Sequence, residues 1–349
     1  MKTIPFLVPI LLWICPAATC LAQDSIPDEL IHQSILDLFP SDGIGEITIH
    51  TDLKALRKNR LTNDFQAATI QIDLGSDSIL ELPLKIRCRG RFRRQRCHFP
   101  PLKLKFKKND LKEAGLRPLN ELKMVTHCLD DSDRSRDLIA REYLCYRLFQ
   151  KLDPNHLNVR LVRVRYMGGS RRMAKIRHYA ILVEDVEDLA DRLDAKPFDE
   201  MGIQPHQMDT SQCLRTSLFQ YMIGNTDFSF ELNRNLEMLQ GIDSLVVAIP
   251  YDFDFSYIVS APYAHADASL RQRDLSDRVF IGYPASMDMA RPVIEEFLQL
   301  ESEIQHFTAS YTLMDKKAIL KLQDFLNSFF DTLRNEQNIE AILKNPARQ

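Results

Sequence analysis

The stretch from Gly224 to Tyr257 constrains this chain most. An apolar, helix-like run (Leu218, Phe219, Tyr221, Met222, Ile223) ends at Gly224-Asn225-Thr226-Asp227, and Asn233 and Asn235 follow. A β-branched run, Leu245 to Ile249, then ends in Pro250-Tyr251-Asp252-Phe253-Asp254-Phe255. A buried helix thus delivers one acid into a loop, and a buried strand delivers two more, with one or two amides between them. Hard oxygen ligands presented in this way suit a divalent metal and phosphate, and a carboxylate left free can accept a proton. The same residue types also make ordinary turns and caps. The order of acid, Asn, strand and Asp-Phe-Asp is therefore more telling than any one residue.

The chain has 349 residues, 45% of them hydrophobic, enough for one large or two modest cores. A net charge of -3 gives no global field that would attract nucleic acid. Residues 1–22 read as a secretory signal: Lys2, an apolar run from Ile4 to Ala18, and a small-residue exit at Ala22. Pro5, Pro9 and Pro16 interrupt the run, and it is short for a membrane span. Lipoprotein processing at Cys20 fits less well, because Ala17-Ala18-Thr19 is a poor approach to such a site. The expectation is an exported protein (periplasmic, cell-surface or secreted) with no transmembrane segment in the mature chain. Loss of Cys15 and Cys20 with the signal leaves Cys88, Cys97, Cys128, Cys145 and Cys213. One disulfide is expected, using Cys97 with either Cys128 or Cys88, and Cys145 is assigned to the core. No Cys-x-x-Cys or His-x-x-x-His spacing suggests zinc.

Alternation marks strands at 47–50, 67–74 and 79–88, with Gly75-Ser76-Asp77-Ser78 as a turn, which reads as an antiparallel sheet with one wet face. Six of the ten residues from Arg87 to Arg96 are arginine. Export argues against a nucleic-acid patch, leaving a solvated hairpin tip or a loop that grips phosphate through guanidinium forks. In the next strand Leu102, Leu104 and Phe106 share one face and Lys103 and Lys105 the other, turned to a site or to water. A strand over 119–126 precedes Asp130-Asp131-Ser132-Asp133, which caps a helix over 135–152 bearing Glu142. Two strands, 159–166 and 176–183, lead to Glu184-Asp185. Residues 195–207, with Pro197, Gly202 and Pro205, read as a hinge. It divides a strand-rich half with one long helix (23–195) from a helical half (208–349) that closes with two helices, 289–311 and 315–343.

This order of motifs resembles the spore-coat protein H (CotH) kinase family, an atypical branch of the protein-kinase-like fold. The resemblance covers roughly residues 84–258. It rests on Arg89-Gly90 with Phe99-Pro100 and the Lys-rich strand, the Asp131-Ser132 helix and the strand ending at Glu184. Asn225-Thr226-Asp227 and Tyr251-Asp252-Phe253-Asp254 complete it. It implies an α+β, protein-kinase-like two-lobed fold with a strand-rich N-lobe and a helix-rich C-lobe. Asp227 would be the catalytic acid, and Asn235, or less well Asn233, the metal-binding amide. Asp252 or Asp254 would hold Mg²⁺, with Mn²⁺ as a substitute. Lys103 or Lys105 would contact the ATP phosphates and pair with Glu142, while Glu184 would lie by the adenine. The arginine tip, with Arg89 and Arg91, stands where a glycine-rich phosphate loop would be. The sequence departs from the family pattern in Asp227-Phe228-Ser229, where Asp-Arg is usual, and in Asn235, which lies further from its acid than in ordinary kinases. The implied function is an exported kinase that moves phosphate from ATP to a protein. The other reading is a non-catalytic kinase-like envelope or surface scaffold binding a partner or an anionic glycan. A metal-dependent hydrolase lacks a nucleophile or His cluster.

Overall fold

The computed structural model describes residues 33–168 and 177–347, so the segment read as an export signal lies outside the described residues. Seven strands make a closed barrel in the order β1-β2-β3-β4-β5-β7-β6. They are β1 (Ile44–His50), β2 (Gln66–Gly75), β3 (Ser78–Cys88), β4 (Leu102–Phe106), β5 (Glu121–Val125), β6 (Val159–Met167) and β7 (Arg177–Val183). Neighbours pair antiparallel except at one seam, where β1 runs parallel to β6 with Ile44 opposite Leu161 and His50 opposite Met167.

This closure overturns the expected protein-kinase-like two-lobed fold. The seam consumes both free edges, and the strand-rich part becomes a barrel. Its inner face is packed with Ile49, Ile70, Ile72, Ile86, Leu102 and Leu104, all essentially inaccessible. The wet face expected of the meander is the barrel's outside, where Lys103 and Lys105 lie on β4. Short helices sit in the connections: α1 (Leu53–Lys58), α2 (Arg93–Arg96), α3 (Lys108–Glu113) and α5 (Val186–Arg192).

The long helix α4 (Ser132–Leu152) starts where the side chain of Asp131 accepts the amides of Asp133 and Arg134. It lies outside the barrel against Val159, Leu161, Ile181 and Val183, whose strand neighbours Val162, Val164, Ala180 and Leu182 point inward. Strands β6 and β7 therefore serve two cores. The second core also takes in α6 (Thr210–Ile223), α7 (Met287–Ala309), α8 (Lys316–Arg334) and α9 (Glu336–Lys344). The expected single helix over 315–343 is two helices, because Asn335 leaves helical geometry (ψ 96°) and caps α9 with its side chain. A small antiparallel sheet of β8 (Lys196–Pro197), β9 (Leu236–Gln240) and β10 (Val246–Pro250) carries the acid-bearing loops. Among the described residues no helix is long and apolar enough to cross a membrane.

Candidate active site

Helix α6 stops at Gly224 because that residue is left-handed (φ 66°), and a Cβ there would stand 2.9 Å from the Cβ of Tyr257 and 3.1 Å from the Phe325 ring. The stop turns Asn225 inward. Its Nδ2 donates to Gln220 Oε1 at 2.9 Å, and its Oδ1 accepts the Asp227 amide at 3.1 Å. Asp227 is then held from the far side by Asn235, whose Nδ2 donates to Asp227 Oδ2 at 2.9 Å, and by the Arg234 guanidinium at 3.4 Å. Burial raises the Asp227 carboxyl above the usual range; Arg234 opposes the shift and the charge of Asp252 adds to it. Asn235 thus reaches Asp227 directly, and the charge of Asp252 acts on the same carboxyl. Asn235 (φ 54°) and Asp252 (φ 61°) both adopt left-handed backbone, a strain tolerated where the surroundings fix it. The Asp252 amide donates to the Tyr146 hydroxyl of α4 at 3.2 Å, and Phe253 is clamped between Tyr146 and Phe219.

The group that sequence reasoning missed is Arg93. Of the arginines in the 87–96 run, this one points inward, with its side chain 6% exposed. Its Nε donates to Asp254 Oδ2 at 2.8 Å, and its Nη2 donates to both oxygens of Glu142 at 3.1 and 3.2 Å and to Asp252. Burial works against its charge, but three carboxylates outweigh that and hold the guanidinium protonated. Burial pushes the Glu142 carboxyl up to about 7, against the pull of Arg93, and Asp254 up to about 6 for the same reason. Tyr263 also donates to Asp254 Oδ2, at 2.8 Å. Asp254 Oδ2 and both Glu142 oxygens are thus engaged, whereas the Asp252 side chain remains 33% exposed.

The expected lysine–Glu142 pair does not form. Lys103 and Lys105 both pair with Glu121 on the neighbouring strand, because the register sets Lys105 opposite Glu121 and Lys103 opposite Lys123. Arg93 takes Glu142 instead. Lys123 pairs with Glu237 of β9 and lies 5.3 Å from the ring of Tyr251, the residue before Asp252. A lysine set in the apolar run Leu122-Lys123-Met124-Val125 was its signal in the sequence. Glu184 is tied to Arg192 at 2.9 Å and to the Asn158 amide at 2.8 Å. Arg89 is half-buried and its charge acts on Tyr251, whereas Arg91 is exposed and no hydrogen bond or ion pair joins it to the acids. Asn233 donates to the Glu200 carbonyl, away from Asp227. Cys97 and Cys128 form the expected disulfide, and Cys88, Cys145 and Cys213 are buried thiols.

Among the described residues no group of three or more His, Cys, Asp or Glu side chains is arranged to hold a metal by itself. The donor set still fits Mg²⁺, which is commonly held by one or two carboxylates together with substrate phosphates. Asp252 keeps an oxygen not bonded to Arg93, and Asn235 turns its amide nitrogen to Asp227, leaving its carbonyl oxygen for another partner.

No family model matches the chain, and no curated protein matches it. Among solved structures it bears a distant likeness to a Helicobacter pylori proinflammatory kinase, CtkA, at 11% identity and a TM-score of 0.35. The match covers 69% of this chain and 91% of that one.

Proposed function

We propose that the chain is an exported phosphotransferase that moves a phosphoryl group from ATP to a protein hydroxyl. The observation that carries this reading is Asp227, oriented by Asn225 and Asn235, with the charge of Asp252 acting on it. Phosphoryl transfer asks a protein mainly to position groups and neutralise charge. Asp227 orients the acceptor hydroxyl and takes its proton, and its raised affinity for protons suits that task. Asp252 and Asn235 would hold Mg²⁺ or Mn²⁺, which neutralises phosphate charge when bound. Lys123 and Arg89, which both act on Tyr251 next to Asp252, would receive the phosphates. Arg93 replaces the expected lysine as the cation that fixes the long-helix glutamate, and it sets Asp252 and Asp254 in register. The Cys97–Cys128 disulfide supports an oxidising compartment.

Calorimetry with a non-hydrolysable ATP analogue and divalent metal tests this. Asp252→Ala should abolish metal-dependent nucleotide binding. Asp227→Asn should keep binding and lose about 10²-fold or more in transfer. Absence of nucleotide binding with either metal ends the catalytic reading. The second reading, a non-catalytic scaffold, then takes its place; the engagement of Asp254 and Glu142 by Arg93 favours it.

A further inference from the structure

The arginine run leaves most of its charge uncompensated. Arg94 donates to the carbonyls of Gly90, Leu61 and Thr62 and to the Asn63 amide oxygen, at 3.0 to 3.3 Å. Arg87 donates to Asn63 Oδ1 and the Cys88 carbonyl and lies 5.2 Å from the Phe65 ring, with Glu121 the one carboxylate that acts on it. Its pKa is lowered first by burial and then by Arg94 and Arg89, so these cations repel one another. Arg91 and Arg96 are exposed and have no ion-pair partner among the described residues. Beside them stands an aromatic ledge. Phe92 meets Phe255 at 5.6 Å and Tyr263 at 5.4 Å, both edge-to-face, and the Arg96 guanidinium lies 5.6 Å from the Phe92 ring. The ledge is joined to the acids by the Tyr263–Asp254 hydrogen bond. The chain after Tyr263 leads on to Asp267, whose charge is felt by Asp227. The ledge therefore joins the arginines to the acid cluster at Asp254.

We propose that an acidic polypeptide segment docks on this face, and that it carries the acceptor hydroxyl; the second half rests on the phosphotransfer reading. Rings packed edge-to-face offer few free faces for stacking bases or sugars. Ring edges are electropositive and, with guanidinium groups alongside, complement carboxylates. The excess of cations should steer such a segment and make its binding salt-dependent.

The test is fluorescence anisotropy with a short labelled peptide of Asp, Glu, Ser and Gly, against a control with Gln and Asn for the acids, in the absence of nucleotide. The acidic peptide should bind more tightly and weaken as salt rises. The double variant Arg91→Glu, Arg96→Glu changes two exposed, unpaired side chains. It should weaken peptide binding about tenfold or more. Equal binding of the two peptides, or no effect of the double variant, overturns the proposal. So does stronger competition by a sulfated oligosaccharide or single-stranded DNA than by unlabelled acidic peptide. Docking without any transfer sinks the phosphotransfer reading alone. Transfer that ignores both arginines sinks the docking site alone.

Discussion

Arg93 brings one positive charge among three buried or half-buried carboxylates, and that imbalance controls the site's response to mutation and pH. Removing one member of a buried ionic cluster leaves uncompensated charge behind, at a cost of about 3–5 kcal/mol. Arg93→Met should therefore lower unfolding stability by about that amount in urea melts. Arg93→Lys should recover only part, since an ammonium cannot present the planar fork that reaches Asp252, Asp254 and Glu142 together. The sign with pH follows from Glu142. Its pKa is raised in the fold to about 7, so the native state holds a proton that the unfolded chain releases at lower pH. The stability this contributes is present at acid pH and is lost as pH rises through about 7. Loss of Arg93 raises the carboxylates further, so the penalty of Arg93→Met should be larger at pH 8 than at pH 5. A penalty independent of pH would mean that Arg93 acts through packing alone.

Two devices at the element scale brace the segment that follows α2. The first is the disulfide, which joins the residue just after α2 to the segment between β5 and α4. Closing a loop of this sequence separation, 31 residues, contributes about 3–4 kcal/mol through the unfolded state. Cys97→Ser with Cys128→Ser should lower the melting temperature accordingly. Buried Cys88, its pKa pushed up to about 11 mainly by burial, should not substitute as a partner. The second is the histidine pair next to the bridge. His127 and His178 stack at 3.4 Å between ring centroids, Phe99 covers the other face of His127, and His127 Nδ1 is buried without a partner. Burial holds both rings below the ordinary histidine range; the neighbouring ring adds to this for His127, and Asp130 opposes it for His178. The unfolded chain therefore takes up protons that the fold does not, and this pair's contribution to stability falls as pH drops below about 6.5. His127→Phe should flatten that acid limb in melting temperatures compared between pH 7.5 and 5.5. An unchanged difference from wild type across that range would refute the assignment.

At the scale of the whole molecule, the parts the sequence made legible were local. Alternation marked β2 and β3, the Asp131 cap marked α4, and the run from Gly224 to Asp254 marked the loops that carry Asp227 and Asp252. Closure was not legible, because the β1–β6 seam joins residues more than a hundred positions apart and a parallel pairing carries no turn signature. Nor was the partner of Glu142. Composition makes an arginine run look solvated throughout, and only the fold selects the one side chain that turns inward. The seam supplies the last prediction. Gly45 lies on it, and a Cβ there would come 2.5 Å from the Phe39 ring and 3.2 Å from Val162 Cγ1, inside the barrel core. Gly45→Val should overpack the seam and cost about 1–3 kcal/mol. Because β6 and β7 give alternate faces to the barrel and to the helical core, damage at the seam cannot stay local. Far-UV and near-UV circular dichroism of the variant should lose signal in one coincident transition, shifted to lower denaturant. Two separated transitions would show that the cores unfold independently and that the shared strands do not couple them.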